Sequence, residues 1–98
     1  MVFLGWVMFS VDELMIIGDE IAARLRGRGV VVDIFIDSVF GVDFVGIDVG
    51  TICVRFHLDG KVVGWDNLSD NLDTKFRCCI SDPEFFGRVY ESFGVSDV

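Results

Sequence analysis

The sequence predicts an α+β domain: a mainly antiparallel sheet of five or six strands with two helices, in the order β-α-β-β-β-β-(β)-α. Three observations carry this. Residues 51–58 alternate strictly, with Ile52, Val54, Phe56 and Leu58 apolar and Thr51, Cys53, Arg55 and His57 between them, the period of a half-buried strand. Gly41, Val49-Gly50 and Asp59-Gly60 punctuate residues 30–65, which therefore read as four consecutive strands with short turns. On either side lies a stretch with apolar residues at helical spacing.

Val2 to Phe9 is apolar and reads as a first strand, buried on both faces or at an interface. Asp12 and Glu13 cut it short of a membrane span. Ser10-Val11-Asp12-Glu13 is a capping box, with Phe9 and Leu14 placed as a hydrophobic staple. Leu14, Ile17 or Gly18, Ile21 and Leu25 then form the buried stripe of a helix. Arg24, Arg26 and Arg28 suit its carbonyl end, and Gly27 or Gly29 stops it. The alternative, a phosphate-binding arginine cluster, fits an acidic chain less well.

The turns set the expected register of the meander. A four-residue loop at Ser38 to Gly41 places Ile34 opposite Val45 and Val32 opposite Ile47. A two-residue loop at Val49-Gly50 places Ile47 opposite Ile52 and Val45 opposite Val54. A type I′ turn at Asp59-Gly60 places Phe56 opposite Val63 and Val54 opposite Trp65. Together they define one inner face: Val30, Val32, Ile34, Ile36, Val45, Ile47, Ile52, Val54, Phe56, Val63 and Trp65. A slip of one residue would turn a whole row toward water.

Residues 66–74 form a polar loop whose carboxylates lack the ligand spacing, central Gly and terminal Glu of an EF-hand. Asn67-Leu68-Ser69 matches a glycosylation sequon, which without a secretion route reads as chance. Lys75 to Ile80 alternates as a last strand, with Phe76, Cys78 and Ile80 on one side. Ser81 or Asp82 caps a second helix with Pro83 at its first position. Phe85, Phe86, Val89 and Phe93 form its stripe and Gly94 ends it.

Ninety-eight residues suit one domain, spanning 1–98. With 52% hydrophobic residues, ten Phe and a mean hydropathy of +0.56, the chain is not disordered. It carries more apolar surface than one small core hides, which points to self-association or a partner interface. Sixteen Asp and Glu against eight Lys and Arg leave a net charge of −8. That field repels nucleic acid and membrane lipid and steers toward a basic protein partner. Cys53, Cys78 and Cys79 are an odd count without framework spacing, so the expected setting is cytoplasmic, intracellular and reducing.

Gly46-Ile47-Asp48-Val49-Gly50-Thr51, followed by Asp59-Gly60-Lys61-Val62-Val63, resembles the first phosphate loop of actin-like ATPases and sugar kinases. The resemblance implies a nucleotide phosphate at the hairpin and an Asp48 serving metal and water. It covers residues 46–63 alone, without that family's second phosphate loop or adenosine motif. Cys53 and His57 share a strand face about 13 Å apart, at about 3.3 Å per residue, too far for one zinc ion. No catalytic residue, metal or cofactor is expected, and each Cys reads as a small core residue.

The outer face carries the candidate site. The expected register aligns Phe35, Phe44 and Arg55 in a row across three strands, with Asp33, Asp37, Asp48 and His57 around it. Aromatics and an arginine ringed by carboxylates have the composition of a protein-binding hot spot. A helix covering this face would instead make the phenylalanines a second core layer. The expected function is therefore an acidic, non-enzymatic module that neutralises or regulates a basic protein, as a toxin-immunity protein or a viral inhibitor does. The alternatives are a structural homo-oligomer subunit, homodimer or larger, and a small nucleotide-binding domain built on the Asp48 hairpin.

Overall fold

The computed structural model describes residues 8–67 and 76–95. The first strand expected over Val2 to Phe9, except for Met8 and Phe9, residues 68–74 of the polar loop and Lys75 of the expected last strand lie outside the described residues. So do the calcium and glycosylation readings placed on that loop.

Helix α1 spans Val11–Gly27 and starts on the expected capping box. The Glu13 N–H donates to Ser10 Oγ at 3.1 Å, and the Ser10 N–H donates to Glu13 Oε1 at 3.0 Å. Its end is a Schellman motif around Gly29 (φ 81°): the Val30 N–H reaches the Leu25 carbonyl and the Gly29 N–H reaches that of Arg26. Leu14, Gly18, Ile21 and Leu25 are buried, as the spacing predicts, and Ala22 is buried with them.

Five strands follow: β1 (Asp33–Val39), β2 (Val42–Val49), β3 (Ile52–His57), β4 (Lys61–Asp66) and β5 (Phe76–Cys79). They form one antiparallel sheet in sequence order, so β1 and β5 are its edges among the described strands. Helix α2 spans Phe85–Ser92. Its N-cap is Glu84, without a side-chain cap bond, rather than the expected Ser81 or Asp82, and Pro83 lies before the helix. Asp82 instead accepts the Glu84 N–H at 2.8 Å in the lead-in turn. Gly94 (φ 78°) ends α2 with the same carbonyl-capping pattern as Gly29.

Both helices pack on one face. Helix α1 lies over β1 and β2, and α2 lies against β5. A Cβ on Gly18 would meet Ile34 and Val45 side-chain atoms, so the bare glycine lets α1 approach the sheet. Phe85 meets Phe56 edge-on at 5.9 Å, and Arg24 of α1 lies over the Phe86 ring of α2. The core unites Leu14, Ile21 and Leu25 with Val45, Ile47, Val54, Phe56, Val62 and Val89.

Three turns differ from expectation. The β1–β2 connection is a two-residue turn at Phe40-Gly41, not a four-residue loop, and Ile34 pairs with Ile47. The β2–β3 turn is Gly50-Thr51, so Ile47 pairs with Val54. Each is a slip of two residues, which leaves every side chain on its expected face. The β3–β4 connection is a three-residue loop, Leu58-Asp59-Gly60, and Phe56 pairs with Val62. That slip is odd and inverts β4: Val62 is fully buried inside, while Val63 and Trp65 turn outward. The reason is backbone geometry. A type I′ turn needs positive φ at both central residues, and only Gly60 (φ 86°) has it. The Gly60 N–H returns to the His57 carbonyl at 2.9 Å, and Asp59 Oδ1 accepts the Lys61 N–H at 3.0 Å.

Candidate functional site

The outer face presents Asp33, Phe35, Asp37 and Val39 of β1; Val42, Phe44, Gly46 and Asp48 of β2; and Cys53, Arg55 and His57 of β3. Val63 and Trp65 of β4 join them. No described helix covers it. The expected pairings of Phe35 with Phe44 and of Phe44 with Arg55 are replaced. Phe35 stands opposite Gly46, Phe44 opposite Asp37 and His57, and Arg55 opposite Gly46 and Val63.

These residues still assemble into one row. The Phe35 ring lies flat where a Gly46 side chain would be, and a Cβ there would overlap it. Phe35 also meets Phe44 edge-on at 6.3 Å. Phe44 contacts His57 at 5.9 Å between ring centroids. The Arg55 guanidinium lies 4.4 Å from both the Phe44 and the Trp65 ring centroids, between the two. Such contacts favour the cation by about 0.5–2 kcal/mol each, more as water is excluded. Trp65 reaches this position only because β4 is inverted, and its indole N–H donates to Asn67 Oδ1 at 2.9 Å.

Phe44 is 1% exposed, so it supports Arg55 and Phe35 and gives a visitor no surface of its own. Phe35, Arg55, His57 and Trp65 are half-buried. Asp48 Oδ1 and Arg55 Nε are buried without a hydrogen-bond partner. Burial pushes the Cys53 thiol up to about 12, and the Asp48 carboxylate beside it adds to the effect. Cys53 is therefore an inert thiol at neutral pH. Burial also lowers the His57 pKa, aided by Arg55 and Lys61 against the opposing pull of Asp59. Among the described residues, no group of three His, Cys, Asp or Glu side chains is placed to hold a metal ion. No helix among them is long and apolar enough to cross a membrane.

An accessible apolar surface lies at the β1–β2 turn, beside the expected row; Met8, Ile16 and Val31 are exposed elsewhere. Phe40 is fully exposed, with Ile36 at 54%, Val42 at 53% and Val39 at 40%. Phe40 also has φ 52°, the left-handed region that costs an L-residue roughly 1–2 kcal/mol. Val39 and Val42 continue the outer row toward this tip, whereas Ile36 stands on the opposite face of the edge strand. Between residues 29 and 54 the chain has four carboxylates (Asp33, Asp37, Asp43, Asp48) and no Lys or Arg. Among the described residues, no ion pair joins Asp33, Asp37 or Asp43 to a basic side chain. Sequence reasoning missed the tip because it placed Val39 and Phe40 inside a loop. The signal was there: the alternation of Phe35, Asp37 and Val39 runs unbroken up to Phe40-Gly41 and resumes at Val42.

Comparison of the chain with protein families, with curated proteins and with solved structures finds no match.

Proposed function

We propose that this chain is a non-enzymatic protein-binding module whose partner is a basic protein that it neutralises or regulates. One observation carries the reading: the β1–β2 hairpin holds Ile36, Val39, Phe40 and Val42 exposed among four aspartates and no cation. Exposed apolar groups rimmed by one sign of charge favour a partner of opposite charge, through burial at the centre and steering at the rim. A strained, fully exposed Phe40 contributes nothing to the core, and burial in a complex would offset its cost. Arg55 and Trp65 extend the same surface across the sheet.

Self-association is the second reading, favoured by a β1 edge that no other described strand pairs. Sedimentation velocity of the isolated protein across a salt series separates the two. The basic-partner reading expects a monomer at every salt concentration. A dimer or larger species that tightens with salt, as screening removes repulsion between acidic copies, would replace it with the homo-oligomer.

A further inference from the structure

Among the described residues, the β1 edge is bracketed at both ends and open in the middle. Val39 and Val42 flank the two-residue turn, and in such a hairpin the flanking pair exchanges both backbone hydrogen bonds. Alternation along the antiparallel ladder then turns Asp33, Phe35 and Asp37 toward β2 through their N–H and C=O groups. It turns those of Ile34, Ile36 and Ser38 away from the sheet. Two contacts agree with this assignment. The Ser38 N–H donates to Asp37 Oδ1 at 2.8 Å, and the Val32 carbonyl accepts from Arg26 Nη2 at 2.9 Å. Between these satisfied ends, no hydrogen bond from another described residue reaches the outward groups of Ile34 and Ile36.

We propose that this edge takes a β-strand of the basic partner, which adds to the sheet beside β1 with positively charged side chains facing Asp33 and Asp37. The proposal rests on the basic-partner reading and names its mode of contact. Main-chain bonds to Ile34 and Ile36 supply attachment, and the side chains of β1 supply selection. Asp33-Ile34-Phe35-Ile36-Asp37 reads the same in both directions. The complementary strand therefore alternates basic, apolar, any, apolar, basic, whether it docks parallel or antiparallel. Phe40 stands at one end of this edge as an exposed anchor.

The same palindrome argues against a second copy. Antiparallel self-pairing centred on Phe35 sets Asp33 opposite Asp37 at both ends, and like charges directly opposite are unfavourable. An incoming strand with Lys or Arg at those positions turns both contacts favourable.

The probe is a capped peptide, Ser-Lys-Val-Thr-Val-Lys-Ser, titrated into the full chain and followed by amide NMR. Its counterpart carries Glu in place of both Lys. The lysine peptide is expected to shift the amides of residues 33–37 and slow exchange at Ile34 and Ile36, with at least tenfold weaker binding of the glutamate peptide. Ile36→Pro removes an outward N–H that β2 does not use, a replacement an edge strand accommodates. It should weaken binding at least tenfold while the remaining spectrum stays folded. If that variant does not fold, N-methylation of both valines in the peptide makes the same test from the other side. Undiminished binding to Ile36→Pro, with shifts confined to the Trp65 indole and its neighbours, overturns the edge proposal and leaves the basic-partner reading standing. Binding that appears only after residues 2–7 are deleted makes the chain's own segment the occupant and overturns it too. So does a dimer that Ile36→Pro dissociates. No binding of the lysine peptide at millimolar concentration also sinks the edge proposal. Equal binding of the two peptides removes the charge argument beneath both proposals.

Discussion

The β1–β2 and β3–β4 hairpins both turn on a glycine, Gly41 and Gly60, but for opposite ends. The β3–β4 loop takes one positive φ, at Gly60, and Asp59 ties its side chain back onto the Lys61 N–H. It lies against the body of the protein: Gly60 is buried, and a Cβ there would approach the Phe9 ring at 3.2 Å. The β1–β2 turn takes two positive φ values, at Phe40 and Gly41, and projects a phenylalanine into solvent. A chain built only for stability would reverse the assignment, because Asp-Gly suits the type I′ turn far better than Phe-Gly. The second hairpin is shaped by packing inside the fold; under the basic-partner proposal, the first is shaped by the contact it makes outside it.

The largest effect that sharpens this comparison concerns the inverted strand. Val62→Asp places a charge in the core and should cost about 3–5 kcal/mol, enough to unfold much of the population. Val63→Asp, across the sheet from Arg55 and Arg77, should cost about 1 kcal/mol or less. Denaturant unfolding of both variants checks it. The reverse ranking would restore a two-residue Asp59-Gly60 turn.

Next in size is Phe44, where the two hairpins meet. Its ring lies under Arg55 and against His57 and Phe35. Truncation to Ala should cost about 3 kcal/mol, within the range for a buried phenylalanine, and should free Arg55 from one of its two ring contacts. A loss well under about 1 kcal/mol would put Phe44 on an open surface instead.

The smallest effect has the opposite sign. Phe40→Asn substitutes a residue that tolerates the left-handed region and should leave stability unchanged or raise it by about 0.5–1 kcal/mol. Partner affinity should fall. A destabilised Phe40→Asn protein would show that Phe40 packs within the fold, and the hairpins would then differ only in shape.

How much of this was legible depended on which quantity the residues encode. The capping box at Ser10, the stripe from Leu14 to Leu25 and the order of the strands follow from local chemistry and period, and all were readable. Strand faces were readable wherever apolar and polar residues alternate, as in Ile52 to His57. They were ambiguous at Val62-Val63, where both candidates are valine, and Trp65 gives the wrong face because an indole stacked on an arginine has the same apolar signature as a core residue. Turn length was the least legible quantity, since Phe40 at positive φ contradicts its own propensity. The outer row survived two even slips, so Phe35, Phe44, Arg55 and His57 do cluster, joined by a Trp65 that the expected register had turned inward. The side chosen by both helices was not encoded in any single residue; it follows from which face has the aliphatic side chains.

The central claim is that the acidic hairpin selects a basic partner, and stopped-flow association of the lysine peptide across ionic strength tests it most directly. The Debye length falls from about 30 Å at 0.01 M to about 8 Å at 0.15 M. The account expects the association rate to fall steeply over that range, and Asp33→Lys with Asp37→Lys to flatten the dependence. A rate that is indifferent to salt in the unmodified chain, or that rises with it, would contradict the claim.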